Sequence, residues 1–147
     1  FFILSIFIFD RFSKIAIIKS FENSNLESIS IINFLSFTLI WNEGIAFGLF
    51  SFDQKIYYIF LTIIIILITL IVLWMIIKSK KLEKLAFMMI FGGSLGNIFD
   101  RLYYSSVPDF IDIHINNFHW FIFNAADIFI TLGIILLITL EISKKNT

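Results

Sequence analysis

Long apolar runs alternate with short polar segments along the chain. The run from Ile56 to Ile77 holds no charged residue. At about 1.5 Å per residue it is long enough to cross hydrocarbon, which takes roughly 20 residues, and it predicts a membrane helix. Further runs predict spans at about 1–18, 85–104 and 118–140. The first of these is interrupted by Asp10, Arg11 and Lys14 and has no small-residue cleavage site, so it reads as a membrane helix rather than a cleaved secretory signal. Asp10 and Lys14 stand at i and i+4, hence on one helical face, where their charges can neutralise each other. Phe1 rather than Met stands first, which is compatible with a short leader ahead of it.

Polarity rises over about 19–55. Asn33 to Asn42 alternates, with Leu35, Phe37, Leu39 and Trp41 on one side, and this period of two predicts a strand with a wet face. It runs into Asn42-Glu43-Gly44-Ile45-Ala46-Phe47-Gly48, whose glycines suit a turn or a close backbone approach. A small extramembrane sheet is expected there, with Asn42 and Phe47 on a flap. Lys78, Lys80, Lys81 and Lys84 follow the second span, and Lys144 and Lys145 follow the fourth. The positive-inside rule makes both ends cytoplasmic. With both termini inside, the 19–55 segment and the loop around Asp109 fall together on the outer face.

Composition and charge narrow the chemistry. With 59% hydrophobic and 15% charged residues in 147, the chain is expected to be a single membrane-embedded domain (1–147) rather than an ordinary soluble one. Zero net charge argues against nucleic acid bound on a basic face. The absence of cysteine rules out a disulfide framework, Cys-ligated zinc and a thiol nucleophile. Against this background the acids stand out. Asp109, Asp112 and Asp127 cluster where a loop meets the fourth apolar run, and Asp127 lies at or within hydrocarbon, where ionisable groups are costly and mark function or a paired contact. Asn97, Asp100 and Arg101 recur at i, i+3, i+4 near the outer end of the third span, and Asn124, Asp127 and Thr131 share a face of the fourth.

Two carboxyl groups held close together in a partly dehydrated place share one proton. Such a pair can activate water as a base and protonate a departing amine as an acid, with neither metal nor cofactor. Spacing alone leaves open which acid joins Asp127. The alternative is a small proton-coupled membrane transporter using Asp10, Asp100 and Asp127 as a relay, which would spread its carboxylates through the membrane depth. Gly92-Gly93-Ser94-Leu95-Gly96 fits a serine-nucleophile pattern, but that elbow needs a strand-to-helix turn and this one sits inside a span. His114 and His119 lack the H-E-x-x-H spacing of a zinc site and read as interfacial anchors or satisfied polar groups.

Five blocks stand in order across essentially the whole chain: Asp10-Arg11-Phe12-Ser13-Lys14, the Asn42–Gly48 stretch, Gly92-Gly93-Ser94-Leu95-Gly96-Asn97-Ile98-Phe99-Asp100-Arg101, Val107-Pro108-Asp109-Phe110-Ile111-Asp112, and Phe123-Asn124-Ala125-Ala126-Asp127. Each is weak alone; together they resemble bacterial lipoprotein signal peptidase (signal peptidase II). The resemblance implies an all-α polytopic membrane protein, with four transmembrane helices and a small outer-face β-rich cradle at about 19–55. It implies an aspartic endopeptidase whose catalytic dyad is Asp109 and Asp127, removing signal peptides from diacylglyceryl-modified prolipoproteins just before the lipidated cysteine. Asn42, Asn97, Arg101 and Asn124 match substrate-binding or dyad-positioning places, and Asp10, Lys14 and Asp100 match structural ones. No metal and no cofactor is implied. The implied partners are the prolipoprotein and membrane lipids, with no nucleic acid, around a monomer. The implied location is the bacterial cytoplasmic (inner) membrane, multi-pass, with the active site at the outer face. Two departures concern the loop: Phe121 stands where the family usually has proline, and Pro108 precedes Asp109, holding Val107 extended.

Overall fold

The computed structural model describes residues 1–23, 26–44, 54–115 and 118–145. Four helices and one sheet follow in the order α1 (Phe2–Glu22), β1 (Ile29–Ile32), β2 (Leu35–Asn42), α2 (Gln54–Lys78), α3 (Lys81–Tyr104), β3 (Val107–Ile115), β4 (Phe118–Phe123) and α4 (Ala125–Lys145). The protein is thus mostly helical with a small antiparallel sheet.

Helix α3 packs against each of the other helices. Glycines make this possible. A Cβ on Gly93 would stand 2.5 Å from the carbonyl oxygen of Ala126, and one on Gly133 would stand 2.7 Å from that of Ala86, so α3 and α4 touch backbone to backbone. Val72, Ile76 and Phe87 form a compact apolar core where α2 meets α3. Most other large apolar side chains of α2 and α4 point outward, among them Ile59, Phe60, Ile63, Leu132 and Ile135. A soluble protein does not expose such belts. Residues 55–78 and 125–145 are each long and apolar enough, by length and composition, to cross a membrane. Helices α1 and α3 carry buried charges instead, including Asp10, Lys14 and Asp100.

The sheet has the order β1-β2-β3-β4, each neighbouring pair antiparallel. Asn33 and Phe34 make the turn between β1 and β2, so the strand expected over Asn33–Asn42 begins at Leu35. Strand β3 replaces the loop expected around Asp109. Its Asp109 pairs with Ile40 and its Pro108 with Trp41. Strand β4 pairs with β3 only from Ile111 onward. Pro108 is therefore flanked by one strand, the setting in which a sheet tolerates proline.

A second correction concerns the fourth span. Residues 118–123 were expected to open it as helix; they form β4, and the helix starts at Ala125. A short apolar run has no period that separates strand from helix, and Phe118-His119-Trp120-Phe121-Ile122-Phe123 is rich in aromatics that favour a pleated surface. The flap expectation for Phe47 lies outside the described residues.

Candidate active site

The site is built where β3 meets the start of α4. Asn124 is the residue before that helix, and it forms a reciprocal cap with the residue three places on. The Asp127 backbone N–H donates to Asn124 Oδ1 at 3.2 Å, and the Asn124 N–H donates to Asp127 Oδ2 at 3.1 Å. This is a capping box with Asn and Asp in its two roles. Asn124 has a further use, since its Nδ2 donates to Asp109 Oδ1 at 2.6 Å. One fully buried residue thus holds both carboxyl groups, Asp109 through its side-chain amide and Asp127 through its backbone N–H.

The other oxygen of Asp109 accepts from Asn42 Nδ2 at 2.9 Å. Asn42 Oδ1 in turn accepts the backbone N–H of Gly44 at 2.7 Å, a local turn that Gly44 closes with φ of 75°. Only glycine adopts such a left-handed conformation without penalty. Asp109 is 4% exposed. Burial drives its carboxyl pKa above the ordinary value; the amide donors of Asn42 and Asn124 oppose this, the charge of Asp127 adds to it, and Lys14 opposes it.

Behind Asp127 lies a buried charge cluster. Lys14 Nζ donates to Asp10 Oδ2 at 3.0 Å, to Asp100 Oδ2 at 2.7 Å and to Asn97 Oδ1 at 2.8 Å. An ammonium can only donate, so the oxygen of Asn97 must face Lys14. The Asn97 Nδ2 then faces Asp127 and donates to its Oδ1 at 2.8 Å. Arg11 completes the cluster, donating to Asp10 Oδ2 at 2.9 Å and to both oxygens of Asp100. Two acids and two bases balance, as buried charge requires. Asp10 Oδ1 also accepts the Ala126 N–H at 2.9 Å, a second cap on α4. A continuous hydrogen-bonded path therefore runs from α1 through Asn97, Asp127 and Asn124 to Asp109 and Asn42.

Arg11 was missed by sequence reasoning. Its signal was available: with Lys14 assigned to Asp10, Asp100 in an apolar helix still needed a cation. Arg101 does not join the cluster. Its Nη1 donates to the carbonyl oxygen of Asn97 at 3.3 Å, and it lines a separate cavity of about 700 Å³ with Glu43, Lys55, Tyr58 and Thr62. The Arg101 Nε is buried and has no hydrogen-bond partner among the described residues. Asp112 is buried away from the paired acids, accepting from Ser36 Oγ at 3.4 Å and lying 2.8 Å from His119 Nδ1. The rings of His114 and His119 lie 5.2 Å apart. Among the described residues no three His, Asp or Glu side chains are grouped so as to hold a metal ion. Ser94 stands inside α3, between glycines that pack against α1 and α4. A second cleft of about 390 Å³ opens between the β3–β4 hairpin and α4, with Asp127 in its wall.

Comparison with known proteins agrees with this construction. The family model described as signal peptidase (SPase) II matches residues 2–143. The chain is similar to the lipoprotein signal peptidase of Pelagibacter ubique, with 48% identity over 144 residues, covering 98% of this chain and 87% of that protein. It is similar to the lipoprotein signal peptidase of Wigglesworthia glossinidia brevipalpis, with 43% identity over 137 residues, covering 92% and 88%. A solved structure described as a bacterial membrane enzyme, determined by the in meso method, matches with a TM-score of 0.80 and 31% identity, covering 98% of this chain and 87% of that one. Fold and comparisons together define the class: an aspartic-type peptidase of the membrane. Within that class, the chain belongs to the signal peptidase II family, whose members remove signal peptides from prolipoproteins.

Proposed function

We propose that Asp109 and Asp127 are the catalytic dyad of a lipoprotein signal peptidase acting on diacylglyceryl-modified prolipoproteins. The observation that carries this is Asn124, whose side chain and backbone tie the two carboxyl groups to each other across β3 and α4. In the resting pair one proton is shared. The ionised carboxylate takes a proton from water as its oxygen attacks the carbonyl carbon before the lipidated cysteine, and the protonated carboxyl gives its proton to the carbonyl oxygen. The tetrahedral gem-diol collapses as the C–N bond breaks. The carboxyl that took its proton from water passes it to the cysteine nitrogen, and one hydroxyl of the intermediate returns a proton to the other carboxylate, restoring the pair. No covalent intermediate with the protein forms.

Each of the remaining residues has a place in this scheme. Asn42, Asn97 and Asn124 position the dyad through the hydrogen bonds given above, and Arg101 faces the cavity through which the peptide reaches it. Asp10, Lys14 and Asp100, with Arg11, hold α1 and α3 together behind Asp127. All four helices span the bacterial inner membrane of a monomer, both termini are cytoplasmic, and the sheet lies at the outer face. A proton relay has no such support: Asp10 and Asp100 are engaged in ion pairs with Arg11 and Lys14 rather than spaced along a path.

The test uses purified protein in lipid vesicles with a diacylglyceryl-modified prolipoprotein, the products being sequenced by mass spectrometry. The expected product begins at the lipidated cysteine, and reaction in ¹⁸O-water labels the new carboxyl of the released signal peptide. Cleavage elsewhere, or none, overturns the reading.

A further inference from the structure

We propose that the cleft between the β3–β4 hairpin and α4 seats an acyl chain of the substrate's lipidated cysteine. This rests on the peptidase reading and deepens it by giving the lipid a place.

The argument begins with the substrate. The bond cleaved lies next to the cysteine, so its glyceride must enter the protein within one residue of the dyad. The cleft meets that condition because Asp127 forms part of its wall. From Asp127 it continues past Ile128, Thr131 and Leu132, which lie at i+1, i+4 and i+5 and so follow one side of α4 toward its lysine-bearing end. Trp120 and Phe121 of β4 form the facing wall. Among the described residues, Thr131 is the one polar side chain besides Asp127 that lines it.

The neighbouring cavity is built for something else. Glu43, Lys55 and Arg101 line it. An acyl chain there would lie against charged groups, whereas a peptide offers carbonyl and N–H groups to meet them. The two spaces therefore divide a lipopeptide by polarity, with Asp127 bordering the apolar one.

A hydrocarbon chain gains little by leaving the bilayer for an apolar cleft, since lipid tails are already as apolar as leucine. What the cleft supplies is direction. A chain laid along α4 fixes the cysteine relative to the dyad, and orientation of this kind is a source of rate. Thr131 is small enough to leave the channel open halfway along.

The first test places a diazirine at the acyl terminus of a diacylglyceryl prolipopeptide, bound to the Asp109→Asn protein in vesicles, and maps the photoadducts. Adducts concentrated at 128–132 and 120–121 are expected. Adducts along 59–66 of α2, or a distribution equal to that of a free diacylglyceride probe, would overturn the proposal, the latter making the cleft a seat for bulk lipid only. The second test measures kcat/KM for substrates with long and short acyl chains in the wild type and in Thr131→Trp. Thr131 is exposed on the surface of α4, so the tryptophan does not threaten folding. The long-to-short ratio should fall about tenfold, the loss expected when an orienting contact is blocked; an unchanged ratio would sink the idea. Failure of the wild type to cleave either substrate is a different result, and it refutes the peptidase reading itself.

Discussion

Asn124 does two separable things, and two substitutions separate them. Its Oδ1 caps α4 through the Asp127 N–H, and its Nδ2 ties Asp109. Asn124→Ala removes both. Loss of the cap costs about 1 kcal/mol, and loss of a hydrogen bond to a charged group costs about 1.5–3 kcal/mol. Asn124→Ser keeps a good N-cap, because serine ranks with asparagine there, but its side chain is too short to reach Asp109 as well. The serine variant should therefore unfold about 1 kcal/mol later than the alanine variant, read from thermal melts in one detergent. In activity the two should be alike. If the lost tie to Asp109 is felt in the transition state, kcat falls roughly 10- to 100-fold in both, at about 1.4 kcal/mol per factor of ten. Recovery of wild-type kcat by serine would refute the reasoning, because the cap alone would then account for Asn124.

Four further outcomes follow from the geometry. Asp109 is raised by burial, so between the ordinary carboxylate value and its raised one the folded protein binds more protons than the unfolded chain, and stability falls as pH rises through that interval. Asn42→Ala removes a donor that favours the charged form, so the alkaline limb of the kcat profile should move to higher pH; a limb that stays or moves down contradicts the assignment. Lys14→Met strips the cation from between Asp10 and Asp100 and should cost about 3–5 kcal/mol, part of which Asp10→Asn in the same chain should restore; a melt unchanged from wild type would show the cluster to be idle. Gly93→Ala drives a methyl against the Ala126 carbonyl oxygen, whereas Gly92→Ala meets Ile6 Cβ at 3.0 Å and the Ile3 carbonyl oxygen at 3.3 Å. The first should lower the melting temperature clearly more than the second, since its clash with backbone is 2.5 Å rather than 3.3 Å.

Those parts of the architecture that depend on local pattern could be read from the sequence. The uncharged run within α2 and the i, i+4 pairing of Asp10 with Lys14 are of this kind, and the structure contains both. The boundary of α4 was not legible, because the aromatic run ahead of Asn124 suits strand and helix alike and only pairing with β3 decides it. Nor was the third acid's role. Asp112 and Asp109 stand three apart, which on a strand sends them to opposite faces, but the sequence reads this stretch as a loop, where no such alternation holds. Spacing therefore could not choose a partner for Asp127; the family resemblance named Asp109, and the tertiary contact through Asn124 gives that choice a physical basis. Asn42, expected on a flap, holds Asp109 from the end of β2. Arg11 was overlooked rather than hidden, because Asp100 needed a cation once Lys14 was assigned to Asp10.

The central claim is that Asp109 and Asp127 act as one unit, and single-turnover cleavage of a diacylglyceryl-modified prolipoprotein by the isosteric variants tests it most directly. Asp109→Asn, Asp127→Asn and the double variant, each shown to melt within a few degrees of the wild type, should all lose cleavage by about 10³-fold or more, with the double variant little worse than either single one, as residues acting together are not additive. Cleavage at the wild-type rate by either single variant would contradict the account.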